Sequence, residues 1–205
     1  MLSYMNSLVR IALNASVEQM ERLLELQAMF AKVCNALAPI AQKTRCWNRV
    51  ALHHMAYKTL REQFPDMGSQ MVCNAIYSVS RASRLVFQHP QSPFNLLRLG
   101  DKPLPLLQFA SSCPVYFDRH TLSVKPGQLS LYTLDGRMRF ELTLAPEVEE
   151  GFRSKKLREI VLARRVDGVF ELAFSFSDAG DSPADQADAN ASGEIPEYVM
   201  VEETV

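Results

Sequence analysis

Residues 128–144 read QLSLYTLDGRMRFELTL, and this segment limits the possible fold more than any other. Two arms of alternating apolar and polar residues flank Asp135-Gly136, a pair typical of a two-residue type I′ hairpin turn. The alternation predicts that the apolar side chains of the second arm face a core, while Arg137 and Arg139 face outward. The chain must therefore contain an antiparallel sheet.

Other strand-like segments surround this hairpin. A second hairpin is predicted at residues 157–176, LREIVLARRVDGVFELAFSF, and shorter strands at VYFD (115–118) and TLSV (121–124). Several short antiparallel strands in about 65 residues usually close into a small barrel. We therefore expect a small antiparallel barrel made of residues 113–177 together with an N-terminal strand at residues 7–15.

Between the first strand and the barrel, the apolar period changes to that of a helix. Residues 16–88 are predicted to form a helical insertion of about three helices, which starts at a capping-box pair, Ser16 and Gln19. Residues 89–112 contain four prolines and are predicted to be a connector. The predicted fold class is α+β, a small antiparallel barrel with a helical insertion after its first strand.

The charges are unevenly distributed. Residues 178–205 hold eight of the 23 acidic residues and no Lys or Arg, so residues 1–177 hold 22 basic against 15 acidic residues. The formal net charge of −1 thus combines a body of about +7 with a tail of −8. The composition predicts a disordered acidic tail at 178–205. A basic body favours a polyanionic partner.

Several function classes lack their sequence signals. The cysteines, Cys34, Cys46, Cys73 and Cys113, form no C-x-x-C pair, so neither a zinc site nor a disulfide framework is predicted. Nucleophile and phosphate-binding motifs are also lacking. We find no signal-peptide pattern and no apolar run of about 18 residues. The expectation is a cytoplasmic, non-enzymatic protein that uses no metal or cofactor and has no membrane partner.

One helical segment carries a polar row with a chemistry suited to nucleic acid. Polar residues recur there at steps of three and four, opposite a Val/Ile stripe. They are Gln70, Asn74, Tyr77, Arg81 and Arg84. Two arginines, two amides and a tyrosine can contact phosphates, hydrogen-bond to bases or riboses, and stack. The alternative is a solvated helix face.

Further basic candidates lie in the strand region. Asp118 and His120 are two residues apart, and a turn-capping or phosphate-contact role is preferred to an acid–base pair. The remaining candidates are Arg119, Arg137, Arg139, Lys155, Lys156 and Arg158. These are ordinary surface charges unless the fold places them together.

The order of these features resembles the N-terminal half of the transposon-associated TnpB proteins and of the related compact type V CRISPR effectors. Three stretches resemble that family in their residues as well as in their order along the chain: PDMGSQMVCNAIYSVSRA, YFDRHTLSV followed by GQLSLYTLDGRMRF, and LREIVLARRVDGVFELAFSF. The likeness spans residues 7–177.

The resemblance implies a helical recognition lobe inserted in a wedge-type barrel, both gripping a guide RNA and its duplex with target DNA. By position in the family's motifs, it assigns phosphate and ribose contacts to Gln70, Asn74, Arg81, Arg119, Arg137 and Arg139. The connector departs from the family pattern. In the family this segment is strongly basic and contains a Pro-x-Phe-Lys element, whereas here it reads PLPLLQFASS.

The family's RuvC-like nuclease should begin after the second hairpin, with Asp-x-Gly on a strand. Asp178-Ala-Gly180 fits superficially, but the 25 residues that follow are too few and too acidic for a sheet that holds two metal ions. We therefore predict a non-catalytic, RNA-guided or RNA-binding module, with a separate nuclease or effector subunit as a possible partner. The alternatives are a decayed transposon fragment and a protein-interaction adaptor that uses the barrel and the acidic tail.

Overall fold

The computed structural model describes residues 7–177 and 193–204, which contain five helices and nine strands. In chain order they are β1 (Ser7–Ala12), α1 (Val17–Thr44), α2 (Arg49–Gln63), α3 (Ser69–Phe87), α4 (Leu96–Leu99), β2 (Leu106–Phe109), β3 (Val115–Phe117), β4 (Leu122–Lys125), β5 (Gln128–Thr133), β6 (Gly136–Glu141), α5 (Pro146–Ser154), β7 (Lys156–Arg164), β8 (Phe170–Ser177) and β9 (Val199–Glu202). The mixed α and β class agrees with the prediction.

The chain divides into two compact units. The β unit comprises the described residues within Met1–Leu26 and Pro114–Ser182, and the α unit comprises those within Gln27–Cys113 and Pro183–Val205. The β unit holds most of the strands, and the α unit holds most of α1 together with α2, α3, α4, β2 and β9. Each unit has its own buried apolar side chains.

The β unit contains a four-stranded antiparallel sheet in the order β1-β8-β7-β3. Strand β8 alternates as predicted, and its side chains at Phe170, Leu172, Phe174 and Phe176 are almost completely buried. Phe152 of α5 contacts the rings of Phe174 and Phe176 edge to face, with both centroid distances 5.0 Å. Helix α5 therefore covers part of this sheet.

The prediction of a closed barrel is wrong for the described residues. Strands β4, β5 and β6 form a separate three-stranded antiparallel sheet. The separation follows a turn at residues 118–121, which ends β3 after three residues and leaves β4 paired with β5. After β6 the chain enters α5, with Pro146 in its first turn, instead of another strand. Both sheets are therefore open.

The β5–β6 hairpin forms as predicted, with a different turn. Thr133 lies opposite Gly136, so Leu134 and Asp135 are the loop residues. Arg45 is the only described non-glycine residue with a positive φ, which excludes a type I′ turn, since that turn needs positive φ at both central positions. Gly136 has φ 106°, so the positive φ falls on the first residue of β6, directly after the two loop residues.

Three helices dominate the α unit, as the sequence predicts. The capping-box pair at the start of α1 forms in both directions: Gln19 N–H donates to Ser16 Oγ at 3.2 Å, and Ser16 N–H donates to Gln19 Oε1 at 3.0 Å. Helix α1 continues through Pro39, although proline usually ends or kinks a helix. Helix α3 contributes more buried side chains than α2, whose buried stripe is Leu52, Ala56 and Leu60.

The predicted disordered tail is wrong for its last part, because Val199–Glu202 forms β9. Strand β9 pairs antiparallel with β2, and Val199 is buried. The disorder prediction averaged the composition over all 28 residues of the tail, so it overlooked the short apolar run around Val199 that forms this strand. Residues 178–192, including Asp178 and Gly180, lie outside the described residues.

Helix α1 is also long and apolar enough, by length and composition, to cross a membrane. Half of its most apolar 18-residue window is buried within the protein. A core helix passes the same test of length and composition, so this helix is weak support for a membrane span.

Candidate nucleic-acid interface

The outward side of the β4–β5–β6 sheet is polar and predominantly basic. Alternation along the strands turns Leu129, Leu131, Met138 and Phe140 inward, where they are buried. We call the side chains on the other face of these strands the sheet surface: Ser123, Lys125, Gln128, Ser130, Tyr132, Arg137, Arg139 and Glu141, of which Ser130 is buried. Three are cations and one is an anion, so the surface attracts polyanions.

An aromatic and a cationic side chain are stacked on the sheet surface. Tyr132 and Arg137 are directly opposite each other on β5 and β6, and the guanidinium carbon of Arg137 lies 4.1 Å from the Tyr132 ring centroid. Arg137 Nη1 also donates to Ser130 Oγ at 3.0 Å. Tyr132 is 40% exposed, a high value for an aromatic residue. Sequence reasoning missed Tyr132, although the alternation places it on the face of Arg137 and Arg139.

Arg119 and His120 occupy the turn between β3 and β4, and both are exposed. The Asp118 carboxylate accepts hydrogen bonds from His120 N–H at 2.9 Å, Thr121 N–H at 3.0 Å and Thr121 Oγ1–H at 2.9 Å. These contacts are those of a turn-capping residue. The Thr121 carbonyl accepts from Tyr132 N–H, so the turn adjoins the Tyr132 end of the sheet surface.

The negative charge at the tip of the β5–β6 hairpin is offset locally. Asp135 accepts from Thr133 Oγ1–H at 2.8 Å and from Arg22 Nε–H at 2.8 Å. The Thr133 hydrogen bond, followed by that from Arg22, lowers the pKa of Asp135 below its ordinary value. The carboxylate therefore stays ionised at neutral pH, with the Arg22 cation beside it.

The remaining basic candidates of the β unit lie on strand β7 of the four-stranded sheet or directly before it. Lys155 and Lys156 are exposed where α5 joins β7. Arg158 is half-buried and falls at a register shift in β7, between Leu157 and Glu159. The fold therefore places Lys156 and Arg158 on a different sheet from Arg137 and Arg139, with Lys155 directly before it.

The predicted polar row of α3 is less accessible than its period implies. Asn74 is only 7% exposed, and its amide contacts Met71 Sδ at 3.7 Å. Gln70, Tyr77, Arg81 and Arg84 are half-buried, and Arg84 Nη1 donates to Ser80 Oγ at 3.1 Å. The row lies on one helix face as predicted, and Asn74 is its one buried member.

Helix α2 adds residues that sequence reasoning missed. The guanidinium carbon of Arg49 lies 5.9 Å from the Tyr77 ring centroid, and His53 stacks on Tyr57 with ring centroids 4.5 Å apart. Arg49, His53 and Tyr57 recur every four residues, and this spacing is the sequence signal that could have revealed them. The α2–α3 pair thus combines arginines with aromatic rings inside the α unit.

The β unit contains a small pocket. A pocket of about 130 Å³ lies between β4 and α5, lined by Val124, Lys125, Pro126, Leu144, Glu149, Phe152 and Arg153. Ligand pockets usually measure about 300–1,000 Å³. Residues 7–177 and 193–204 contain no group of three or more His, Cys, Asp or Glu side chains that could hold a metal ion.

The chain was compared with protein-family models and with curated proteins, and neither comparison finds a match. The resemblance to the TnpB and type V proteins therefore remains a prediction from the sequence motifs. The geometry of the two units is the independent basis for a functional assignment.

Proposed function

We propose that this chain is a non-catalytic nucleic-acid-binding protein whose main contact is the sheet surface. The observation that carries the proposal is the exposed Tyr132–Arg137 stack beside Arg139 on an open sheet. Arginine and lysine side chains neutralise phosphates, and an exposed aromatic ring offers a face to bases. The pairing of these two groups is the reason for preferring nucleic acid over another anion.

The electrostatics of the sheet surface support this proposal. Arg137 and Arg139 face outward from the same strand, and Asp135 at the hairpin tip is paired with Arg22 at 2.7 Å. Glu141 is the single acidic member and lies opposite Gln128, at the end of the hairpin distant from the tip. A polyanion can therefore approach the Tyr132 end without meeting an unpaired Asp135 carboxylate.

The α2–α3 pair supplies a second set of contacts in this proposal. Residues 49–63 and 69–87 contain five Arg or Lys residues, Arg49, Lys58, Arg61, Arg81 and Arg84, against Glu62 alone. Tyr57 and Tyr77 lie beside His53 and Arg49 respectively. This charge balance favours contact with phosphates.

The finer identity of the ligand rests on the resemblance. The resemblance to the TnpB and type V proteins implies a guide-like RNA and its duplex with target DNA, bound by a nuclease-lacking module in the cytoplasm. A separate nuclease or effector subunit would then supply any cleavage. The alternatives, a decayed fragment or a protein adaptor, predict no specific nucleic-acid affinity.

Two measurements test the proposal. First, RNA that co-purifies with the protein from its host is sequenced, and an enriched species is expected. Second, binding of a fluorescent RNA is measured by anisotropy over a range of salt concentrations, for the wild type and for Arg137→Gln/Arg139→Gln. Loss of two phosphate contacts should weaken binding and reduce the salt slope by about 1.4–1.8.

A matched control removes the same charge elsewhere in the β unit. Arg10→Gln/Arg165→Gln also deletes two cations, but both arginines contact Glu171, at 3.1 Å and 3.9 Å. This variant should bind nearly as well as the wild type. Equal weakening of both double variants, or no enriched RNA together with no salt-dependent binding, would contradict the proposal.

A further inference from the structure

We propose that the Tyr132–Arg137 stack is a binding site for an unpaired base of single-stranded nucleic acid. This inference rests on the proposed function and specifies the ligand class of the same surface. The family resemblance names a guide RNA and its duplex with target DNA, whereas this inference assigns the stack to an unpaired base.

The stack is held in place before any ligand binds. Tyr132 and Arg137 are cross-strand neighbours, so the hairpin register fixes the distance between their backbones. The hydrogen bond from Arg137 Nη1 to Ser130 Oγ then orients the guanidinium at 4.1 Å from the ring centroid. Little side-chain freedom remains to be lost on binding, which favours affinity.

The shape of the site favours an unpaired base. A base within a duplex is already stacked on both faces, whereas an unpaired base can stack on an aromatic ring or on an arginine plane. Both side chains of the pair are exposed on an open sheet, so a flat ring can reach either of them.

Basic side chains that could contact phosphates lie near the Tyr132–Arg137 stack. Arg139 follows Arg137 by two residues on β6, so it projects from the same face at about 7 Å along the strand. Arg119 and His120 are exposed in the turn that adjoins Tyr132. The Arg139 and Arg119 cations therefore flank the stacking pair, on β6 and in the adjoining turn, as a strand that passes over the pair requires.

Binding is tested with short oligonucleotides that carry one 2-aminopurine. The probes are single-stranded RNA, single-stranded DNA, an RNA duplex and an RNA–DNA hybrid of matched length. The wild type should bind the single strands at least about tenfold more tightly than the duplexes and quench 2-aminopurine fluorescence through stacking. The two single-stranded probes show whether the sugar matters, because both offer the same bases.

Substitutions at Tyr132 provide the decisive comparison. Tyr132→Ala should weaken single-strand binding by about 5- to 100-fold and abolish quenching, whereas Tyr132→Phe keeps the ring and should bind within about twofold of the wild type. Duplex binding should change little in either variant. Quenching by the wild type is a separate readout, and it remains decisive if Tyr132→Ala does not fold.

The outcomes separate the two proposals. Salt-dependent binding that prefers duplexes, or that is unchanged in Tyr132→Ala and causes no quenching, overturns this inference and leaves the proposed function standing. Failure of every probe to bind overturns both.

Discussion

The side-chain amide of Gln27, on α1, donates a hydrogen bond to the backbone carbonyl of Cys113 at 3.1 Å, and the same nitrogen reaches the carbonyl of Ser112 at 3.0 Å. Gln27 is only 2% exposed. A buried amide thus replaces water for two carbonyl groups in the segment that follows β2.

Gln27→Leu should destabilise the protein by about 1–3 kcal/mol, because the two carbonyls lose their donor in a place that water reaches poorly. Urea unfolding, followed by circular dichroism, measures the effect. Lys32→Leu is the control, since Lys32 is exposed on the same helix. Equal unfolding midpoints for the two variants would show that the Gln27 hydrogen bonds contribute nothing.

Gly193→Ala should destabilise the α unit through two effects. Gly193 has φ 73°, and a Cβ at this position would overlap the His89 ring. Gly100 also has a positive φ, 57°, but its Cβ would meet no atom within 4 Å. We expect about 1–3 kcal/mol from backbone strain alone in Gly100→Ala and a larger loss of unfolding free energy in Gly193→Ala.

The contribution of the His89 overlap can be isolated with a double variant. Adding His89→Ala to Gly193→Ala should recover part of the lost stability, because the overlapping ring is removed. If the loss of unfolding free energy in the double variant equals the sum of the losses in the two single variants, the His89 ring is not the reason why a side chain at position 193 is destabilising.

Thiol labelling should divide the cysteines into two pairs. Burial raises the pKa of Cys113 to about 12, and burial, with the nearby Cys113, raises that of Cys34 well above its ordinary value. Cys46 and Cys73 are half-buried. Iodoacetamide at pH 8 should therefore label Cys46 and Cys73 first, and mass spectrometry identifies the sites. Prompt labelling of all four in the folded protein, as in denaturant, would contradict the described burial.

Asp135 should titrate below its ordinary pKa of 3.8. Because the folded pKa is lowered, its stabilising contribution is complete above the unfolded pKa and is lost as the pH falls through the folded value. The stability difference between wild type and Asp135→Asn should therefore shrink below about pH 4. In carboxyl NMR titrations, Thr133→Val and Arg22→Gln should each raise the Asp135 pKa, because each removes a group that stabilises the carboxylate. An Asp135 pKa that is unchanged in both variants would contradict this account.

Local features were predictable from the sequence. The Ser16–Gln19 capping box and the β5–β6 hairpin depend on neighbours within a few residues, and both form. The end of α1 was not predictable from Pro39 alone. Leu37, Ala38 and Ala41 are buried on either side of the proline, and their packing supports the turns that it weakens.

Non-local features escaped the sequence analysis. Strand β9 exists because β2 offers it a partner, and the four-residue run that forms it is too short to be recognised alone. The face of α3 was predicted correctly, but the burial of Asn74 depends on what packs over that face. For the candidate site, Arg137 and Arg139 were predicted while their partner Tyr132 was overlooked, even though the period of two places it beside them.

The pairing of β2 with β9 has a consequence for protein synthesis. Gln108 of β2 bonds to Glu202 of β9, and 94 residues separate them. At about 5–20 residues per second, a ribosome needs roughly 5–19 s to make the intervening chain. Throughout that interval β2 has no strand partner, so chaperone access on the ribosome should matter more for the α unit than for the β5–β6 hairpin, whose strands emerge together.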